Sequence, residues 1–343
     1  MSEYVREALA DPTSVTELDV PVEAIRTLRA LGIDTVEQFV GAAQVASMEL
    51  RPLLGDVFES ALASAAGLAQ MPGERLSDEL AALPCALGAE TELPAVVGET
   101  VPQLFLDREV GTCGPPLIVP TVPVRDQGSR GTCVAFAVAG ALEYLLHCNG
   151  SGQDMSAQFS YWNCKHNDGA PTRPGTWISV ASRLVQRDGV CPEIVWPYNP
   201  AQIPGNEPHD PVPAGAQRHA LPFRIAALPI PATSVVDYKL ALAAGKWVPF
   251  SIPVYNSWYL NPQVRLTGDL INPIPGETRV GGHAMCVVGC IDPPDRPELG
   301  GGRSILRNSW GTRWGRTSPY GPGYGTIPYI YVQRFGMEAC CLG

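Results

Sequence analysis

Past residue 189 the spacing of apolar residues changes period. Before it they recur every three to four positions, as in VPVEAIRTLRALG, IDTVEQFVGAA, CVAFAVAGALEYLLH, MSAQFSYWNCK and TWISVASRLVQRDG. After WPYNP they come in short runs rich in Val, Ile and aromatics, each closed by Pro or Gly: RIAALPI, WVPFSIPVY, GGHAMCVVGCID, RSILRNSW and GYGTIPYIYVQRF. The first spacing belongs to helices and the second to strands. VVDYKLALAAG is one helix among the strands. Helices followed by strands, rather than alternating with them, predict an α+β chain with two lobes.

The first 118 residues read differently. In residues 1–70, Val22, Ile25, Leu28 and Leu31 mark one helix face ending at Gly32. Asp34 or Thr35 caps a second helix with Val36, Phe39 and Val40 on one face, and MELRPLLGDVFESALASAAGL supplies one or two more, with Pro52 near a helix start. The helix–LGI–helix element looks like a helix-hairpin-helix, many of which bind DNA. Charge opposes that use here. The first hundred residues hold seventeen acidic and five basic side chains, a net −12, while the rest of the chain is at +2 and the whole at −10. Such a segment repels phosphate, so the expectation is no nucleic acid but a small all-α bundle, an adaptor or regulatory unit that contacts a protein partner. Residues 71–118, rich in Pro and Gly, read as a linker lying along the next domain.

No stretch is long and apolar enough to span a bilayer, and MSEYVREALADPTS has no apolar core of a signal peptide. The expectation is a cytoplasmic protein with no membrane contact and its ten cysteines reduced. With 21 Arg against 3 Lys and abundant Ala, Gly and Pro, the composition points to a GC-rich, bacterial genome. The cysteines form no CxxC pair and no zinc spacing, so neither metal nor cofactor is expected. Cys340-Cys341-Leu342-Gly343 has the outline of a prenylation box, but Gly is a poor final residue, and 337–343 reads as a surface tail.

One cysteine stands out. Cys133 follows the polar, Gly-spaced loop VPVRDQGSRGT and begins an apolar helix. There a sulfur faces unpaired N–H groups and the positive end of the helix dipole, both of which favour the thiolate. Alone it would read as a buried packing residue; as a nucleophile it needs a base and a group to orient that base. His283 is the best base, flanked by Gly281, Gly282 and Ala284 at the start of a strand. Asn308, in ILRNSWGTRWG, is the best orienting group, because its side-chain oxygen can fix the imidazole tautomer.

Together these motifs resemble the papain family of cysteine peptidases over residues 119–336. The resemblance rests on Gln127-Gly128-Ser129-Arg130-Gly131-Thr132-Cys133 with Ala135 and Phe136, on Gly282-His283-Ala284, and on Asn308-Ser309-Trp310-Gly311 with Trp314-Gly315 and Gly323-Tyr324-Gly325. It implies a helical lobe plus a β-barrel-like lobe, a Cys133–His283–Asn308 triad, an oxyanion hole from Gln127 and the Cys133 backbone, and a shielding Trp310. It further implies substrate contacts at Gly175, Gly282, Ala284 and Trp310. Arg130 stands where the family usually has a disulfide cysteine, and Val134 where plant and lysosomal members have Trp. The family's paired substrate-binding glycines are reduced to Gly175. Gly282 stands where many members have Asp, which predicts an apolar or roomy subsite. The expected function is intracellular hydrolysis of peptide or protein substrates by a cysteine endopeptidase, regulated or targeted by the acidic bundle. The alternative is a latent or non-hydrolytic binding protein of the same fold, its cleft blocked by the linker or the N-terminal domain.

Overall fold

The computed structural model describes residues 12–72, 74–92, 113–292 and 302–343. Four helices come first: α1 (Val22–Ala30), α2 (Val36–Leu54), α3 (Phe58–Leu68) and α4 (Glu74–Ala81). The helical lobe follows, with α5 (Cys133–Cys148), α6 (Ala157–Lys165), α7 (Ile178–Arg187) and the short α8 (Ala216–Ala220). Strands β1 (Ala227–Pro229), β2 (Val248–Tyr255), β3 (Arg279–Ile291), β4 (Arg303–Arg307), β5 (Tyr324–Pro328) and β6 (Glu338–Leu342) make the second lobe, with helices α9 (Val235–Ala243), α10 (Asn256–Tyr259), α11 (Pro262–Thr267) and α12 (Tyr329–Phe335) around them. The sheet is antiparallel, in the order β1-β6-β2-β3-β4-β5. Among the described residues no helix is long and apolar enough to cross a membrane.

Local chemistry explains the N-terminal helices. Gly32 ends α1 at φ +71°, a conformation that costs a residue with a Cβ. Thr35 opens α2 in a reciprocal capping box: its hydroxyl accepts from the Gln38 N–H, and the Gln38 side chain accepts from the Thr35 N–H. Pro52 is not near a helix start but lies in the last turns of α2, beyond a break at Ala46 (φ −142°, ψ 38°). Two further expectations change. YIYVQRF forms α12 rather than extending β5, because Pro328 caps it and Tyr329 and Val332 share one buried face. Residues 338–342 are no tail. They form β6 between β1 and β2, with Cys340 and Cys341 buried, which removes them from any lipidation chemistry.

Two hydrophobic clusters lie on either side of the sheet. One joins α5, α6 and α7 to Ala284, Cys286 and Val288 on β3. The other is shared: Leu28, Phe39 and Phe58 of the N-terminal helices pack in the same cluster as Trp258, Val264, Leu270 and Trp314 of the strand-built lobe. Polar contacts reinforce the junction. The Asn272 backbone N–H donates to the Leu31 carbonyl at 2.8 Å and its amide to the Ala30 carbonyl at 3.1 Å. Arg265 Nη1 donates to the carbonyls of Leu80 (2.6 Å) and Ala81 (3.0 Å), fixing the end of α4. The bundle is therefore built into the molecule's core. The expectation of fully reduced thiols fails at one pair: Cys113 and Cys290 form a disulfide, and the other eight cysteines are free.

A shared core makes a clear demand on stability. All seven tryptophans lie at residue 162 or beyond, outside the bundle. Phe39→Ala, at a fully buried site, should cost about 3–5 kcal/mol and shift the tryptophan-monitored urea transition as one cooperative step. An unmoved tryptophan transition would show that the bundle unfolds on its own.

Candidate active site

The loop before α5 is held from the opposite lobe. The Gln127 N–H donates to the Ser309 carbonyl at 2.8 Å and the Gly311 N–H to the Arg125 carbonyl at 3.1 Å, a short antiparallel bridge centred on Asp126 and Trp310. Asp126 accepts from the Gly128 N–H at 2.8 Å and turns the chain at Gly128, φ +63°. Thr132 precedes the helix without capping it; its hydroxyl pairs with Tyr198 at 2.8 Å. The first N–H groups of α5 thus have no side-chain cap, and Cys133 sits among them, fully buried.

His283 lies within β3, paired with Ile252 of β2. Its Nε2 is 2.8 Å from Asn308 Oδ1, an oxygen that also accepts from the Ser309 N–H at 2.7 Å. A carbonyl oxygen only accepts, so Nε2 carries the proton and the neutral ring presents a bare lone pair at Nδ1. That atom is buried with no hydrogen-bond partner. Trp310 stacks on the ring at 4.3 Å between centroids and covers it from solvent. Gln127 is oriented from both ends: Oε1 accepts from the Ser309 hydroxyl at 2.6 Å, and Nε2 donates to the Arg130 carbonyl at 2.8 Å.

The second N–H direction of Gln127 Nε2 reaches the chain's own Ala86 carbonyl at 3.1 Å, which also accepts from Trp310 Nε1 at 3.1 Å. Residues 85–92 run through the groove between the lobes. The Cys85 carbonyl accepts from the Tyr259 hydroxyl, and the Gly88 and Ala89 N–H groups both reach the Gly282 carbonyl at 3.1 Å. The Thr176 N–H donates to the Gly88 carbonyl at 2.9 Å and the Glu90 N–H to the Thr176 carbonyl at 3.0 Å, so the segment runs parallel to that wall. Arg173 pairs with Glu90 at 2.6 Å, and Trp177 Nε1 donates to the Glu92 carbonyl. Four glycines make the fit: Cβ atoms on Gly131, Gly175, Gly281 or Gly282 would meet backbone or the covering residues Leu87, Gly88 and Ala89 within 2.2–3.1 Å.

Burial sets the protonation. It pushes the Cys133 thiol up to about 12, opposed by backbone N–H groups of Ala284 and Gly88 that reach the sulfur. It pushes the His283 ring down to about 4, opposed by the Asn308 hydrogen bond. Both groups are therefore neutral while the segment covers them.

Contacts join His283, Asn308, Ser309, Gln127 and Trp310, and the Cys133 sulfur meets the backbone of Ala284, the residue after His283; among the described residues no hydrogen bond joins Cys133 to His283. Gly175 and Gly282 face the covering segment; Ala284 is fully buried and meets the sulfur through its backbone, so it lines no open subsite. Sequence reading gave no role to Ser309, Thr176 or Gly131. Ser309 and Gly131 were within reach, since they stand inside the two motifs already singled out. Among the described residues one cluster of three metal-ligand types exists, Cys113, Cys290 and Asp292, but its sulfurs are joined to each other.

A helix-leading thiol, an imidazole aligned by a carboxamide and an amide donor beside them, set between a helical and a sheet lobe, define the cysteine-protease class. The model of the papain family of cysteine proteases matches residues 118–324, and the chain belongs to that family. A peptidase C1-like protein of Acanthamoeba polyphaga mimivirus is 28% identical over 215 residues, 60% of this chain and 64% of that protein, so the match spans less than two thirds of the relative. Xylellain, a cysteine protease from Xylella fastidiosa, superimposes with a TM-score of 0.63 at 24% identity, over 75% of this chain and 96% of its own. Procathepsin B S9 from Trypanosoma congolense gives 0.52 at 16% identity, over 78% and 87%.

The buried ring has a pH signature. Folding favours its neutral form, so that contribution is complete above the ordinary value of 6.5 and is lost as pH falls toward about 4. His283→Gln keeps an N–H for Asn308 and does not titrate. The difference in Tm between wild type and His283→Gln should shrink from about pH 7 to about pH 4.5. Scanning calorimetry checks this, and a constant difference would refute a buried, neutral His283.

Proposed function

We propose that the protein is a cysteine endopeptidase made latent by its own residues 85–92. The supporting observations are Cys133 at the uncapped start of α5, the His283–Asn308 hydrogen bond, and a carbonyl of the covering segment bonded to Gln127. Once that segment leaves, water returns and the burial that holds both groups neutral is relieved. The Cys133 proton then passes to His283 Nδ1, and the α5 N-terminus stabilises the thiolate that attacks a peptide carbonyl. The carbonyl oxygen gains negative charge where Gln127 Nε2 and the Cys133 N–H can donate to it. Protonated His283 gives its proton to the leaving amine, and water, deprotonated by the same ring, releases the acyl group from the thioester. The covering segment enters and leaves the groove without a chain end, as an internal stretch of substrate would. That favours cleavage within chains.

In this reading the bundle regulates. It packs on the strand-built lobe and delivers the covering segment from α4, whose end Arg265 holds. Peptide or protein substrates follow from the groove's backbone groups at Thr176 and Gly282, which the covering segment's own backbone occupies.

Gly88 gives the test. A Cβ there would stand 2.1 Å from the Gly131 carbonyl oxygen, so Gly88→Leu should expel the segment. Full-length Gly88→Leu should cleave a fluorogenic peptide at least about tenfold faster than wild type, and adding Cys133→Ala should remove that activity by about 10⁴-fold. Equal activity with and without Cys133 would overturn the mechanism. Equal activity of wild type and Gly88→Leu would overturn latency.

A further inference from the structure

Arg130 carries a charge into the interior beside the nucleophile loop. It is 1% exposed, and no carboxylate forms an ion pair with it among the described residues. Its partners are neutral. Nη1 donates to Gln158 Oε1 at 2.7 Å and to the Asn199 carbonyl at 2.8 Å, and Nη2 to the Glu207 carbonyl at 2.9 Å. The rings of Tyr161 and Tyr198 lie 5.3 and 5.4 Å from the guanidinium carbon. A buried cation survives only when its donors are met this fully, and only a planar fork can reach several acceptors at once.

Those acceptors are informative. Residues 199–208 form a Pro- and Gly-containing coil without helix or strand, and Arg130 binds carbonyls near both ends of it. Gln158, fully buried, completes the clasp by donating to the Pro208 carbonyl at 3.2 Å. The same coil grips the nucleophile loop elsewhere: Gln202 donates to the Ser129 carbonyl at 2.8 Å and the Tyr198 hydroxyl to the Gln127 carbonyl at 2.8 Å. The Arg130 carbonyl in turn accepts one N–H of Gln127 Nε2, leaving the other directed into the groove.

We infer that Arg130 is a positioning residue for the reaction: by clamping the 199–208 coil with its side chain it fixes its own carbonyl, and that carbonyl aims the Gln127 N–H at the acyl oxygen. The inference rests on Gln127 acting as that donor. Without the guanidinium the loop can rotate, and Gln127 loses its aim although Cys133 and His283 stay in place. The loss falls on the charged transition state and leaves ground-state binding intact. Lysine reaches one acceptor instead of three, so Arg130→Lys should fall between wild type and Arg130→Met.

The test uses two reagents in the full-length Gly88→Leu background. A peptide aldehyde forms a hemithioacetal whose oxygen needs the Gln127 donor; iodoacetamide alkylates Cys133 without it. For Arg130→Met, kcat and aldehyde affinity should both fall by about 10- to 100-fold, while KM and the alkylation rate stay within about threefold. Unchanged kcat and aldehyde affinity, or alkylation falling by the same factor, would overturn the assignment. If Gly88→Leu itself proves inert, the latency reading has failed separately, and amide hydrogen exchange on the full-length Arg130→Met protein decides. Residues 125–134 should then exchange at least about tenfold faster, with residues 22–68 unchanged. Equal protection at 125–134, or faster exchange in both regions, counts against Arg130.

Discussion

The site depends on a three-residue handshake between the lobes. Arg125, Asp126 and Gln127 run antiparallel to Ser309, Trp310 and Gly311, joined by two backbone hydrogen bonds and by the Ser309 hydroxyl on the Gln127 amide. On one side of that bridge the chain goes directly into the helix that carries Cys133. On the other it comes from β4, which ends at Arg307, one residue before Asn308. Cys133, Gln127 and Asn308 are thus indexed against one another by main chain, which has far less freedom than side chains to drift. His283 is set independently, by its register with Ile252.

Around this frame the groove is defined more by what is missing than by what is present. Bare backbone at four glycines admits another backbone within hydrogen-bonding distance of Gly282 and Thr176. The chain's own residues 85–92 use that opening, and in doing so they dry the site. The thiol and imidazole respond as ionisable groups do in a low-dielectric setting: burial holds both neutral.

The residues that carry short-range chemistry were legible in the sequence. Cys133, His283, Asn308 and Gln127 stand in motifs whose resemblance to the papain family implies their meeting, and the helical lobe followed from three clear periods. What escaped was long-range. Helix α4 and the covering stretch looked like an aperiodic linker, because a segment that lies in a groove is shaped by that groove and needs no pattern of its own. The Cys113–Cys290 bond joins residues 177 apart with nothing local to announce it. Helix α12 and strand β6 were lost for the same reason: YIYVQRF and EACCL suit either state, and Pro328 and the neighbouring strands decided between them.

Those four glycines also fix where this chain can change. A side chain added to either wall would exclude peptide as surely as it excludes the internal cover, so the walls cannot relax inhibition without forfeiting catalysis. The cover is under no such bind. Drift at Leu87, Gly88 or Ala89 alters only the strength of self-occupancy, which makes that short stretch the dial by which related chains could be tuned from silent to constitutively open.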